Sequence, residues 1–271
     1  MKLVTKTLIV LLGMVLITTA CQQSSKKPTD QDSTLVDQDE IEQGLTEVAN
    51  PLPEPFEVYD MLESIGASYH AAILNSPDNA DMYFTQKSKA ANVGVYAADL
   101  AYTVTYNKEE DIKTYARTLK TVMDELNVPI DFAKLQSQTM NQPDMSKDTL
   151  IAQLGDVYYD TYKFLHKEST PSLSALMAAG AWIEGLYIAS NISKDTYQNL
   201  EIVKIIYKQG DALPGLIDYM EKFKSDEMVS TLQEALKKLK AVYDAAGESL
   251  TKAQLDEITA TVKTIRESIV S

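Results

Sequence analysis

Two stretches of this chain are built almost wholly from small and apolar residues, yet each holds one acid. Lys89-Ala90-Ala91-Asn92-Val93-Gly94-Val95-Tyr96-Ala97-Ala98-Asp99-Leu100-Ala101-Tyr102 is the first, and Met177 to Asn191, with Gly180, Glu184 and Gly185, is its echo. Small side chains let one helix backbone approach another closely, so both stretches read as buried helices that pack on something. At helical spacing Asn92, Tyr96, Asp99, Tyr102 or Thr103, and Tyr106 fall along one stripe, while Gly180, Glu184, Tyr187 or Ile188, and Asn191 align on the other helix. If the two helices pack together, Asp99 and Glu184 face one cavity. A carboxylate stranded in an apolar wall costs on the order of several kcal/mol, so each acid must be paired, hydrogen-bonded or protonated.

Those needs admit two readings. In one, the acids and the hydroxyls of Tyr96 and Tyr187, with Asn92, line a polar pocket for a cationic or hydroxyl-rich small ligand. In the other, tyrosines and a lysine such as Lys89 satisfy the acids and fix helix register. No reaction is specified by either. His70 and His166 cannot make a three-histidine zinc site, and neither has a partner at metal-ligand spacing. His166, between Lys163 and Lys167, reads as a surface charge near a helix end. His70 follows Tyr69 on an expected helix and is a lesser pocket candidate. No Glu-x-x-His pair and no Gly-x-Ser-x-Gly elbow occurs. The sequence thus assigns no catalytic residue, no metal site and no cofactor, and points to a protein that is not an enzyme.

Beyond Phe56 apolar residues recur at three- and four-residue spacing, and no alternating strand pattern or glycine-rich phosphate loop interrupts them. The expectation is an all-α fold of about ten helices, an irregular antiparallel multi-helix bundle or helical array; their unequal lengths argue against a strict solenoid. Expected helices run from Phe56 to Leu74, Asp81 to Tyr106, Lys108 to Leu126, and after Pro129 to Gln142. A further five cover Asp144 or Ser146 to His166, Thr170 to Ile188, Ser193 to Gly210, Asp211 to Phe223 and Asp226 to Ala246. The last spans Thr251 to Ile269, opened by a Thr251/Gln254 capping box. Tyr158, Tyr159 and Tyr162 wrap around one helix and cannot all be core. The stretch from Glu227 to Ser271 reads as two solvated amphipathic helices.

Before Phe56 the character changes. Lys2 and Lys6 precede an apolar run from Leu8 to Ile17, and Thr18-Thr19-Ala20 leads to Cys21, the one cysteine of the chain. A membrane span needs about 20 apolar residues, and this run has roughly half that. It reads as a cleaved leader. The order resembles the bacterial lipobox, which implies that residues 1–20 are a lipoprotein signal peptide and that the Cys21 thiol carries diacylglycerol; Thr18 stands where most lipoboxes have leucine. Acylation leaves no thiol for disulfides, nucleophilic catalysis or zinc. From Gln22 to about Asn50 the chain is polar and lacks aromatics, a composition that cannot bury enough surface to order itself. Such a tether spans roughly 30 Å end to end. Pro51, Pro53 and Pro55 then stiffen the entry to the domain. The expected organisation is leader 1–20, lipid-anchored linker 21–55 and helical domain 56–271. Losing Lys2 and Lys6 takes the formal charge from −14 to −16, which disfavours nucleic acid as a partner. Only Arg117 and Arg266 offer bidentate forks.

The stretch from Lys89 to Tyr102, with Tyr69 and Asn75 upstream, resembles uncharacterised all-helical lipoproteins of Bacteroidota-type bacteria, in which a Gly-Val-Tyr-x-Ala-Asp-Leu core recurs; here that core is Gly94 to Leu100. The resemblance covers about a twentieth of the chain. It implies an outer-membrane lipoprotein and brings no reaction, substrate or cofactor with it. Gln22 differs from the aspartate that retains many lipoproteins at the inner membrane. Ser24-Ser25-Lys26-Lys27 stands where the surface-export signal of such bacteria places acids, which favours the periplasmic face over the cell surface. The expected role is a non-enzymatic binding or scaffold module for a protein or envelope component. Its alternative is the small-ligand module around Asp99 and Glu184.

Overall fold

The structure is a computed structural model that describes residues 56–129, 146–168, 170–193 and 196–271. The expected leader and tether, and the short helix expected up to Gln142, lie outside the described residues. Among the described residues there are nine α-helices and no strand: α1 Glu57–Ser64, α2 Gln86–Thr105, α3 Glu109–Glu125, α4 Lys147–Glu168, α5 Ser172–Asn191, α6 Leu200–Gln209, α7 Leu213–Glu221, α8 Glu227–Asp244 and α9 Lys252–Val270. The all-α bundle is therefore what the sequence pattern led one to expect.

Helices α2 and α5 form the centre. Both are buried nearly all round, as their lack of a polar face requires. A Cβ on Gly94 would sit 2.0 Å from the Met177 carbonyl oxygen, and one on Gly180 would sit 2.1 Å from that of Ala91. The two backbones therefore touch, and only glycine fits at the crossing. Helix α5 is also long and apolar enough to cross a membrane, with mean hydropathy 1.3, but almost all of it is buried inside the bundle. Its apolarity belongs to the core.

Around this pair α3 and α4 pack on α2, while α4, α6, α7 and α9 pack on α5, and α8 lies against α7 and α9. At one end Asp226 joins three helix starts. Its Oδ1 accepts from the Met228 and Val229 amides to cap α8, and its Oδ2 accepts from Lys87 Nζ at 2.8 Å and Ser172 Oγ at 3.0 Å. The starts of α2 and α5 thus meet at one carboxylate, so the central helices run in the same general direction. Burial raises the Asp226 pKa, but Lys87, Ser172 and the Val229 amide outweigh it and lower it on balance.

Helix boundaries follow capping chemistry. Thr251 and Gln254 form the expected capping box, and Thr85 with Ser88 forms a second that sets the start of α2. Ser146 Oγ accepts the Thr149 amide at the head of α4. Asn107, at φ 51°, ends α2 where a break was expected. The long first helix expected to reach Leu74 is corrected: α1 stops at Ser64, Gly66 turns the chain at φ 75°, and short 3-10 turns at Ala71–Ile73 and Pro77–Met82 follow. The helix expected from Ser193 instead starts at Leu200, where Asn199 Oδ1 accepts the Glu201 and Ile202 amides.

Candidate functional site

Asp99 and Glu184 come together, each 0% exposed. The Gly94/Gly180 crossing draws the two helices close enough for one acid to hydrogen-bond the other. Their cation is Arg266 of α9, not Lys89. Arg266 Nε donates to Glu184 Oε2 at 2.6 Å and Nη2 to Oε1 at 2.8 Å, a bidentate fork, while Nη2 also reaches the Ile73 carbonyl at 3.3 Å. The face of Tyr187 lies 4.1 Å from the guanidinium carbon. Lys89 turns the other way and pairs with Glu125 at 2.7 Å.

The remaining candidates are also engaged by the protein itself. Tyr96 donates its hydroxyl to the Ser76 carbonyl at 2.8 Å. Asn92 Nδ2 donates to the carbonyls of Ser88 and Ile269, at 2.9 and 2.8 Å. Asn75 anchors the loop above: its amide donates to Asp99 Oδ2 at 3.3 Å, its side chain donates to the Tyr83 hydroxyl at 2.9 Å, and its carbonyl accepts from Tyr115 at 3.0 Å. Three buried atoms of this region lack a hydrogen-bond partner in the protein: Asp99 Oδ1, Tyr59 Oη and Asn92 Oδ1.

The electrostatics follow from this geometry. Burial first, then the negative charge of Glu184, holds the Asp99 carboxyl well above the ordinary carboxylate range. Burial raises Glu184 too, with the Arg266 guanidinium pulling against it. Burial keeps the nearby phenols of Tyr59, Tyr96 and Tyr115 above their usual pKa, so they remain neutral.

Three residues of the cluster were not found from sequence: Arg266, Asn75 as an acid partner, and Tyr59. For Arg266 a signal existed. It stands four residues after Val262 and three before Ile269, on the apolar stripe of α9 with Leu255 and Ile258, where a solvated arginine has no reason to be. For Tyr59 and Asn75 no periodic signal exists, because a short helix and a loop bring them in.

The two histidines reverse their expected places. His166 is 7% exposed rather than a surface charge. Its Nδ1 lies 2.8 Å from the Tyr219 hydroxyl and 3.3 Å from Ser174 Oγ, and those two hydroxyls lie 2.7 Å apart. Helix α7, packed across α4 and α5, makes this pocket, and the sequence of α4 alone does not reveal it. His70 is exposed in an extended segment, its amide donating to the Tyr102 hydroxyl at 3.0 Å. Among the described residues no group of three or more His, Cys, Asp or Glu is placed to hold a metal ion. Comparison with family models, with curated proteins and with solved structures finds no match for this chain.

Proposed function

We propose that this protein is a lipoprotein of the cell envelope, anchored by diacylglycerol on Cys21, whose helical domain serves as a non-enzymatic binding or scaffold module for a protein or envelope component. The observation that carries the reading is the Arg266 fork on Glu184. Glu184, which a small ligand would have to use, is engaged by a side chain of the same chain, so its chemistry is spent on seating α9, and Asp99 beside it is 0% exposed. Cys21 after its charged and apolar leader supports the anchor, and the polar tether gives the domain reach from the bilayer. The same lipobox context favours the outer membrane, facing the periplasm.

Fractionation of the native host tests the anchor. Wild-type protein should sediment with membranes and Cys21→Ser should be released; a Cys21→Ser variant that stays firmly membrane-bound overturns it. Crosslinking in intact membranes, followed by affinity recovery, should yield a partner in stoichiometric amount. Should a small molecule instead raise the melting temperature, with Glu184→Ala abolishing that rise in a folded domain, the ligand-binding alternative replaces the scaffold reading.

A further inference from the structure

Among the described residues the interior holds two acids, Asp99 and Glu184, and one arginine, Arg266. Arg266 spends Nε and Nη2 on Glu184 and the Ile73 carbonyl, so its hydrogen bonds bring nothing to Asp99. Asp99 Oδ2 receives one amide, that of Asn75, at 3.3 Å. Asp99 Oδ1 is buried with no donor directed at it. An ionised carboxylate needs several donors to replace the water it has lost, and this one has a single long bond.

Among the described residues, the charged and titratable groups that bear on Asp99 include no second cation. On α5 there is Glu184 and on α9 Arg266; Tyr59 of α1, Tyr83 of the loop before α2, Tyr96 of α2 and Tyr115 of α3 are neutral phenols. With both acids ionised the enclosure would carry a net charge of one electron, shared by two adjacent carboxylates. Sharing one proton between them removes both the net charge and the repulsion.

We infer that Asp99 and Glu184 form a proton-binding site: at neutral pH Asp99 is the neutral acid, its Oδ1–H donating to the Glu184 carboxylate, which stays ionised against Arg266. The orphaned oxygen thereby gains a role, and each Glu184 oxygen has a free lone pair to accept the bond. No further ligand is required. The pair is a carboxylic acid beside a salt bridge, and the proton allows two acids to share one guanidinium.

The purified full chain tests this directly. Carbon NMR of protein labelled at the Asp and Glu carboxyls should show one side chain still in its neutral form at pH 7, and Asp99→Asn should delete that signal. Because the folded pKa of Asp99 lies above its unfolded value of 3.8, the folded state binds the extra proton. The contribution of Asp99 to stability is then greatest at low pH and declines as pH rises toward the folded pKa. The melting temperature of wild type minus that of Asp99→Asn should therefore fall steadily from pH about 4 to about 8. A difference that is flat with pH, or carboxyls that have all ionised by pH 6, overturns the assignment. If wild type at pH 8 is instead stabilised by sodium over choline at equal ionic strength, and Asp99→Asn is not, a metal cation neutralises the pair and the proton site is wrong. Should Asp99→Asn fail to fold, the neutral carboxyl signal of the native protein decides alone.

Discussion

At Arg266 a single side chain bears on whether two buried acids are tolerated, and its removal separates the value of a salt bridge from the cost of breaking one. Replacing Arg266 by Met leaves Glu184 uncompensated in the core, and such a loss costs about 3–5 kcal/mol. Replacing both Arg266 and Glu184 by Met removes the stranded charge together with its partner, and well-packed apolar replacements of ion pairs are often neutral or better. Denaturant unfolding should accordingly place Arg266→Met far below wild type and the double variant close to it. A double variant as unstable as the single one would mean that the pair itself, not the avoidance of a bare charge, holds α9. His166 gives a second residue-scale test. Burial, then the charges of Lys222 and Lys167, lowers its pKa below 6.5 in the folded state. The unfolded chain therefore takes up a proton that the folded chain refuses, and the stability that His166 confers is present above pH 6.5 and lost as pH falls below it. Replacing His166 by Gln should flatten the acid side of the stability curve beginning at about pH 6.5, measured by chemical unfolding at a series of pH values. The lysine-flanked sequence hid this, because charge on neighbouring positions of one helix says nothing about which face a second helix will cover.

Between elements, the central crossing is the part of the fold most open to reading in advance and the least forgiving of change. Small residues at Ala90, Ala91, Gly94, Ala97 and Ala98 opposite Met177, Gly180, Ala181 and Glu184 announce close approach, and the contact at Gly94 and Gly180 is of backbone against backbone. A methyl group there has no flexible side chain to push aside. Gly94→Ala and Gly180→Ala should each lose at least the about 1–3 kcal/mol typical of an overpacked core. Gly155→Ala is the control: it lies inside α4 with nothing within 4 Å of the added Cβ, so better helix propensity should raise stability by about 0.5–1 kcal/mol. In a domain of this size 1 kcal/mol shifts the melting temperature by about 2–4 °C, so calorimetry resolves the opposite signs. Other boundaries were less legible for local reasons. Gly66 lies within an apolar periodicity that continues to Leu74, and only the backbone turn at φ 75° shows that α1 has already ended. Thr85 and Ser88 carried a start signal, but the apolar pattern extending back to Met82 and Tyr83 masked it.

In the whole molecule the last helix closes what the first ones leave open. Helix α9 looks solvated in sequence because its lysines and acids dominate three faces, yet its fourth face carries Leu255, Ile258, Val262, Ile265, Arg266 and Ile269 into the core. Its final turn is also tied down through the backbone: the Ile269 carbonyl accepts from Asn92 and the Val270 carbonyl accepts from Tyr83 at 3.4 Å. Periodicity made the apolar stripe visible, but which helix it would meet, and that it would bring the cation for Glu184, depends on contacts across 82 residues of sequence. Deleting 252–271 therefore does more than uncover apolar surface, because it leaves Glu184 without Arg266 and Asn92 without its carbonyl. The expected result is loss of a single sharp unfolding transition, with apolar dye binding and rapid amide exchange reaching α5. The full-length double variant at Arg266 and Glu184 keeps the stripe while discarding the ion pair, and should retain the sharp transition. If the truncated chain instead unfolds in one step with α5 still protected from exchange, α9 is an accessory to a bundle already complete, and seating it cannot be the purpose of the buried acids.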